Sequence, residues 1–158
     1  MSTLAIQSAI DQFLAAQAFY PCCLLIHPDI AVLEHAKTRV VTQRAWPVVS
    51  CATVLSDALL DVSAAQRARA VPSVLRNAVQ QHRSGPVLLA EIDVLFEPSL
   101  SLEPLRLLRD LSRTTPLVVL WPGSYINGVL AYATADPPHA HYRAWTETGL
   151  CAQCMVVL

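Results

Sequence analysis

The sequence predicts an α/β domain of three layers, with a five-stranded, mainly parallel sheet held between helices. Three observations carry this. Short apolar runs alternate with segments of helical periodicity, the pattern of βαβ units. The runs are continuous instead of alternating, as in strands covered on both faces. Apolar residues make up 54% of the 158 positions and charged residues 15%, where globular chains average roughly 45–50% and about 25%. That length fits one domain, spanning 1–158. A mean hydropathy of +0.42 requires either a sheet buried on both faces or a subunit that hides surface against a partner.

The elements follow in order. Ser2 and Thr3 supply a cap for a first helix whose apolar positions Leu4, Ile6, Ile10, Phe13 and Leu14 fall on one face. Pro21 stops it, and Cys22-Cys23-Leu24-Leu25-Ile26 is the first strand. A helix is expected from Ala31 to Thr42, with Leu33, Ala36, Val40 and Val41 as its stripe. Trp46 to Cys51 forms the second run. Ser56 and Asp57 open a long helical stretch, broken by a turn at Asp61–Ser63 and again by Pro72. The third run, Pro86 to Leu89, continues through Ile92 and Val94 to Phe96. Pro104 suits the first turn of a helix Pro104–Ser112. The fourth run is Pro116 to Trp121, and Asn127-Gly128 then marks a hairpin. Pro137-Pro138 breaks the chain before a short helix at His141–Thr148, and Cys154–Leu158 is a closing strand. There is no internal repeat or linker.

Bulk properties narrow the setting. A net charge of −1 gives no overall drive toward nucleic acid or anionic lipid. No apolar run approaches the ~18 residues of a membrane span. No basic segment followed by an apolar stretch opens the chain, so a cytoplasmic protein is expected. Five cysteines, an odd number, point to reduced thiols.

A strand, a tight loop and a helix at Leu24–Thr42 invite comparison with the phosphate-binding loop G-x-x-x-x-G-K-[ST], whose backbone amides surround phosphates at a helix N-terminus. Counted from the end of the first strand, its two glycines fall on His27 and Val32, its lysine on Leu33 and its magnesium-binding hydroxyl on Glu34. Every functional position is replaced. The same segment also suits a plain strand, turn and helix. Val87-Leu88-Leu89-Ala90-Glu91 has the form of an apolar strand ending where a Walker B motif carries an acidic pair. Ala90 stands at the magnesium-holding position and Glu91 at the water-polarising one. Asp93 shares a face with Glu91 in strand periodicity. Both carboxylates equally suit solvated groups at a strand end. The next strand ends at Trp121-Pro122-Gly123, with no polar sensor residue until Ser124.

The stretch from Gly85 to Phe96, followed by Leu102–Leu108, Leu111-Ser112-Arg113, Leu117–Gly123 and Leu130–Ala133, resembles the BrxF family, small P-loop proteins of type-three BREX phage-defence systems. The resemblance covers about Trp46 to Arg143. It implies a P-loop NTPase-like, AAA-like fold, a role in bacterial antiviral defence, and partners among other phage-defence proteins such as a larger AAA ATPase. ATP binding is not carried over, because the loop positions and the Walker B aspartate are missing. No cofactor is expected.

Remaining constellations are weaker. Cys151-x-x-Cys154 with His139 and His141 has soft ligands, but a single C-x-x-C with a short spacer favours buried cysteines over a zinc site. No nucleophile is marked near Cys51 or Ser50. Arginines fall at Arg67, Arg69, Arg76 and Arg83, then at Arg106, Arg109 and Arg113 on one helix face. That face suits DNA phosphates or a neighbour's nucleotide. With Glu103 and Asp110 interleaved and no aromatic residue accompanying it, a solvated face is favoured. The leading expectation is a non-catalytic pseudo-NTPase adaptor that oligomerises or joins a hetero-complex. An ATPase with a divergent or trans-completed site and a DNA-binding module are the alternatives.

Overall fold

The computed structural model describes residues 1–82 and 84–158; of the arginines named above, Arg83 lies outside them. Ser2 caps α1 (Thr3–Ala15) by accepting a bond from the Ala5 amide. Next come β1 (Cys22–His27), α2 (Ile30–Arg44), β2 (Val48–Ser50), α3 (Cys51–Leu59), α4 (Ala64–Gln80) and β3 (Val87–Ala90). The chain closes with α5 (Pro104–Ser112), β4 (Leu117–Ile126), β5 (Val129–Tyr132), β6 (Arg143–Trp145) and β7 (Met155–Val157).

Five strands lie side by side in the order β2-β3-β4-β1-β7, and every pairing along this path is parallel. The continuous apolar runs are explained by cover on both faces. Cys22, Leu24 and Ile26 of β1 point into one core with α3, α4 and α5. Cys23 and Leu25 point into the other with α1 and α2. The high apolar content is therefore spent largely inside. Two further strands extend the sheet: β5 pairs antiparallel with the outer half of β4, and β6 pairs with β5. The hairpin turn is the expected Asn127-Gly128, both residues at positive φ as a two-residue turn of the primed type requires.

Local expectations fail in identifiable ways. Cys51 belongs to a helix, because the Ser50 hydroxyl caps α3 at the Thr53 amide, five residues before the predicted start at Ser56. Pro72 does not break α4. Val71, Leu75 and Val79 are buried on one stripe that runs straight past it, and packing of that stripe outweighs the lost backbone bond. The third strand stops at Ala90 instead of continuing to Phe96. Glu91 turns into the left-handed region at φ 53°, and Ile92–Phe96 is a 3-10 turn. His141–Thr148 holds no helix; its centre is β6, which completes the hairpin. Cys154 sits in a 3-10 turn ahead of β7. Leu4 is 83% exposed and Leu14 also reaches solvent, so the buried stripe of α1 is only Ile6, Ile10 and Phe13. Among the described residues no helix is long and apolar enough to cross a membrane.

Candidate functional site

In open parallel sheets, ligands sit outside the carboxyl ends of the strands. Here that edge is built by His27 of β1, Ser50 of β2, Glu91 after β3 and Pro122 within β4. Only Pro28 and Asp29 join β1 to α2. No cradle of loop amides exists in so short a connection, and Pro28 contributes no N–H at all.

Asp29 fills the place an anion would take. Its amide donates to His27 Nδ1 at 2.9 Å, which holds the turn. Its Oδ1 accepts from the Ala31 amide at 2.8 Å, and its carbonyl oxygen accepts from the Val32 and Leu33 amides. A carboxylate at a helix N-terminus is favourable; it also repels a phosphate approaching the same amides. The counted positions fall accordingly. His27 ends the strand, and Val32 and Leu33 lie in the first turn of α2. Leu33 is 3% exposed, buried in the core beneath the sheet. Glu34 is exposed and paired with Lys37 one turn along.

The Walker B positions are equally committed. Ala90 is buried at the end of β3. The Glu91 carboxylate accepts a bond from the Ser50 hydroxyl, tying the end of β3 to that of β2. Asp93 is not a strand neighbour of Glu91: it lies in the 3-10 turn beyond the end of β3, where it accepts from the Tyr132 hydroxyl at 2.7 Å, and the two residues line one small cavity. Burial, and then the hydrogen bond and charge of Asp93, push the Tyr132 phenol well above its usual range.

That hydrogen bond seats the β4–β5–β6 hairpin against the strand ends. An aromatic cluster fixes it there. Phe96 stacks on Tyr132 with ring centroids 3.5 Å apart, and Trp121 meets Trp145 at 5.5 Å and 72°. The buried Trp121 indole donates to the Ala131 carbonyl at 2.8 Å. Gly123 is required at this contact, since a Cβ there would lie 1.9 Å from the Ala131 oxygen. Little space remains. A cavity of about 50 Å³ lies among Leu33, Glu34, Glu91 and Asp93. A second of about 230 Å³ lies among Pro28, Asp93, Tyr132 and His139. Neither is lined by a lysine or arginine, and pockets for drug-sized ligands run ~300–1,000 Å³.

The other candidates are placed as follows. Arg109 donates to the Thr148 carbonyl at 2.8 Å and lies over the Tyr20 ring. Arg113 lies over the Phe19 ring at 5.2 Å, and Arg106 pairs loosely with Asp110 at 3.9 Å. The expectation that no aromatic accompanies these arginines is therefore corrected. The loop between α1 and β1 brings Phe19 and Tyr20 to α5 from far away in sequence. Glu103, at the N-terminus of the same helix, accepts from the Trp145 indole and keeps its negative charge beside the arginines.

Cys22, Cys23, Cys51 and Cys154 are buried. Burial pushes the Cys22 and Cys23 thiols up. It raises Cys51 to about 12, helped by the Glu91 charge, and Cys154 to about 12, helped by Cys151. Thiols held protonated are poor nucleophiles. His139 and His141 face each other with ring centroids 5.6 Å apart, and among the described residues no three His, Cys, Asp or Glu side chains converge as a metal site.

Sequence reasoning missed Asp29 as the residue that closes the helix terminus, although an aspartate directly before a helical stretch is a standard cap signal. The Asp93–Tyr132 bond spans 39 residues and has no local signature. No protein-family model, no curated protein and no solved structure matches this chain.

Proposed function

We propose that the chain is a pseudo-NTPase: a P-loop NTPase-like domain that binds no nucleotide and serves as an adaptor through protein–protein contacts. The observation that carries this is the closed connection between β1 and α2, in which the Asp29 carboxylate occupies the helix terminus where a phosphate would bind. The strand order supports the P-loop-like part. β4 lies between β1 and β3, so the loop, Walker B and sensor positions would meet at one edge.

The adaptor part rests on surfaces near that edge. A groove of about 410 Å³ runs between α3 and the 3-10 turns Ile92–Phe96 and Pro98–Leu100, with Leu55, Leu59, Val94 and Leu100 as its apolar lining and Arg67 and Glu97 beside them. Leu60 stands at its rim, 76% exposed. A bacterial phage-defence setting, with partners of the BREX type, is proposed on the motif resemblance alone.

Co-expression with the neighbouring gene products tests the adaptor role. A stable complex of defined stoichiometry, weakened by Leu60→Asp, supports it. A chain that stays at 17.2 kDa in light scattering and joins none of those products contradicts it.

A further inference from the structure

We propose that the surface formed by α4, α5 and the loop between α1 and β1 binds single-stranded nucleic acid, with Phe19 as the stacking platform and Arg76, Arg106 and Arg113 on the phosphates. The inference does not depend on the state of the strand-end site.

Four observations carry it. Phe19 is 72% exposed and meets Tyr20 only edge to face at 4.8 Å, so its ring offers aromatic surface to a ligand. Arg113 lies over that ring at 5.2 Å, so ring and guanidinium form one platform on which a planar base can stack. Arg113 also lines an open groove of about 550 Å³ with Arg76, Asp110 and Thr114, which extends the cationic surface from α5 onto α4. Arg106 projects from α5 with a side chain 74% exposed, and its contact with Asp110 is loose at 3.9 Å.

Among the described residues the cations available here are Arg76, Arg106 and Arg113, and the anions are Asp110 and Glu103, so the surface keeps a positive balance. Arg109 is set aside because Thr148 and Tyr20 hold it. The overall charge of −1 does not forbid binding here, since charges beyond roughly 8–10 Å are screened at physiological salt. The exposed ring selects the class of ligand. Duplex DNA keeps its bases stacked inside and offers nothing to Phe19, and an acidic peptide would meet the arginines without using the ring. A single strand supplies both phosphates and free base faces.

Fluorescence anisotropy of labelled dT20 and U20 with the full chain tests this, beginning at 50 mM salt. Binding to at least one of them is expected, with log K falling against log salt at a slope of about −2 for three phosphate contacts. Arg76→Ala and Arg113→Ala each reduce that slope by about 0.7. Phe19→Ala weakens binding about fivefold or more with little change in slope. All three residues are exposed, and circular dichroism verifies that the variants fold. The proposal is overturned by absence of binding at 100 µM protein, by equal affinity for a 20-base-pair duplex, or by a Phe19→Ala variant that binds as the parent does. Displacement of dT20 by oligoglutamate from parent and Phe19→Ala protein alike also overturns it, since the surface would then be a general polyanion patch.

Discussion

Raising the pH should unfold this protein through its thiols. Cys22, Cys23, Cys51 and Cys154 are buried among apolar side chains, where a thiolate would lose its hydration. All four therefore hold their protons above the usual range, Cys51 and Cys154 up to about 12. An unfolded cysteine releases its proton near pH 8.5. Above that pH the unfolded chain binds fewer protons than the folded one, so stability falls as pH rises, and is fully present below it. Each thiol removes about 1.36 kcal/mol per pH unit, or about 2 kcal/mol between pH 7 and 10. Four acting independently remove about 8 kcal/mol, comparable to the ~5–15 kcal/mol that holds a typical domain folded. Urea unfolding followed by circular dichroism, with a phosphine reductant present, measures this at pH 7, 8, 9 and 10. Cys51→Ala, though less stable at pH 7 through its cavity, should lose stability with a slope about one quarter shallower. A parent protein equally stable at pH 8 and 10, or a Cys51→Ala slope identical to the parent's, would refute the reasoning.

Other perturbations test the hairpin and the helix terminus. Gly123→Ala forces the Ala131 carbonyl away and strands the Trp121 indole N–H. It should cost roughly 2–6 kcal/mol, seen as a fall of roughly 5–20 °C in thermal melting. Tyr132→Phe removes a bond to the Asp93 carboxylate, a loss of about 1.5–3 kcal/mol in urea unfolding at pH 7. Because the Tyr132 phenol is raised in the folded state, this variant should also lose less stability than the parent above pH 10; parallel curves there would contradict that assignment. Asp29→Ala removes the cap of α2 and should destabilise by about 1 kcal/mol, with Asp29→Asn close to the parent.

The parallel core was legible because its signal is local. Four uninterrupted apolar runs, each flanked by turn or helix signals, mark strands covered on both faces, and Asn127-Gly128 fixes the hairpin without tertiary information. The errors fall where a local signal is overruled by contacts distant in sequence. Pro72 reads as a breaker, yet the stripe of Val71, Leu75 and Val79 is held against the sheet. Trp145 and its neighbours suggest a helix, yet β5 supplies an edge for them to pair with. Glu91 and Asp93 look like alternate residues of one strand; Glu91 is itself left-handed and ends the strand, which puts Asp93 in the 3-10 turn. At the strand edge, counting along the sequence shows no glycine or lysine between His27 and Glu34. Capture of the helix terminus by Asp29 and the pairing of Arg113 with Phe19 were not readable by counting. The first was overlooked beside a longer motif, and the second joins segments nearly a hundred positions apart.

Titration calorimetry with Mg-ATP tests the central claim most directly. The claim requires no detectable heat of binding at sub-millimolar nucleotide. Asp29 holds the helix terminus, the strand-edge cavities are about 50 and 230 Å³, and the absent lysine alone removes a charge-assisted contact of about 1.5–3 kcal/mol. Magnesium-dependent binding in the micromolar range, weakened by Glu91→Ala, would contradict it.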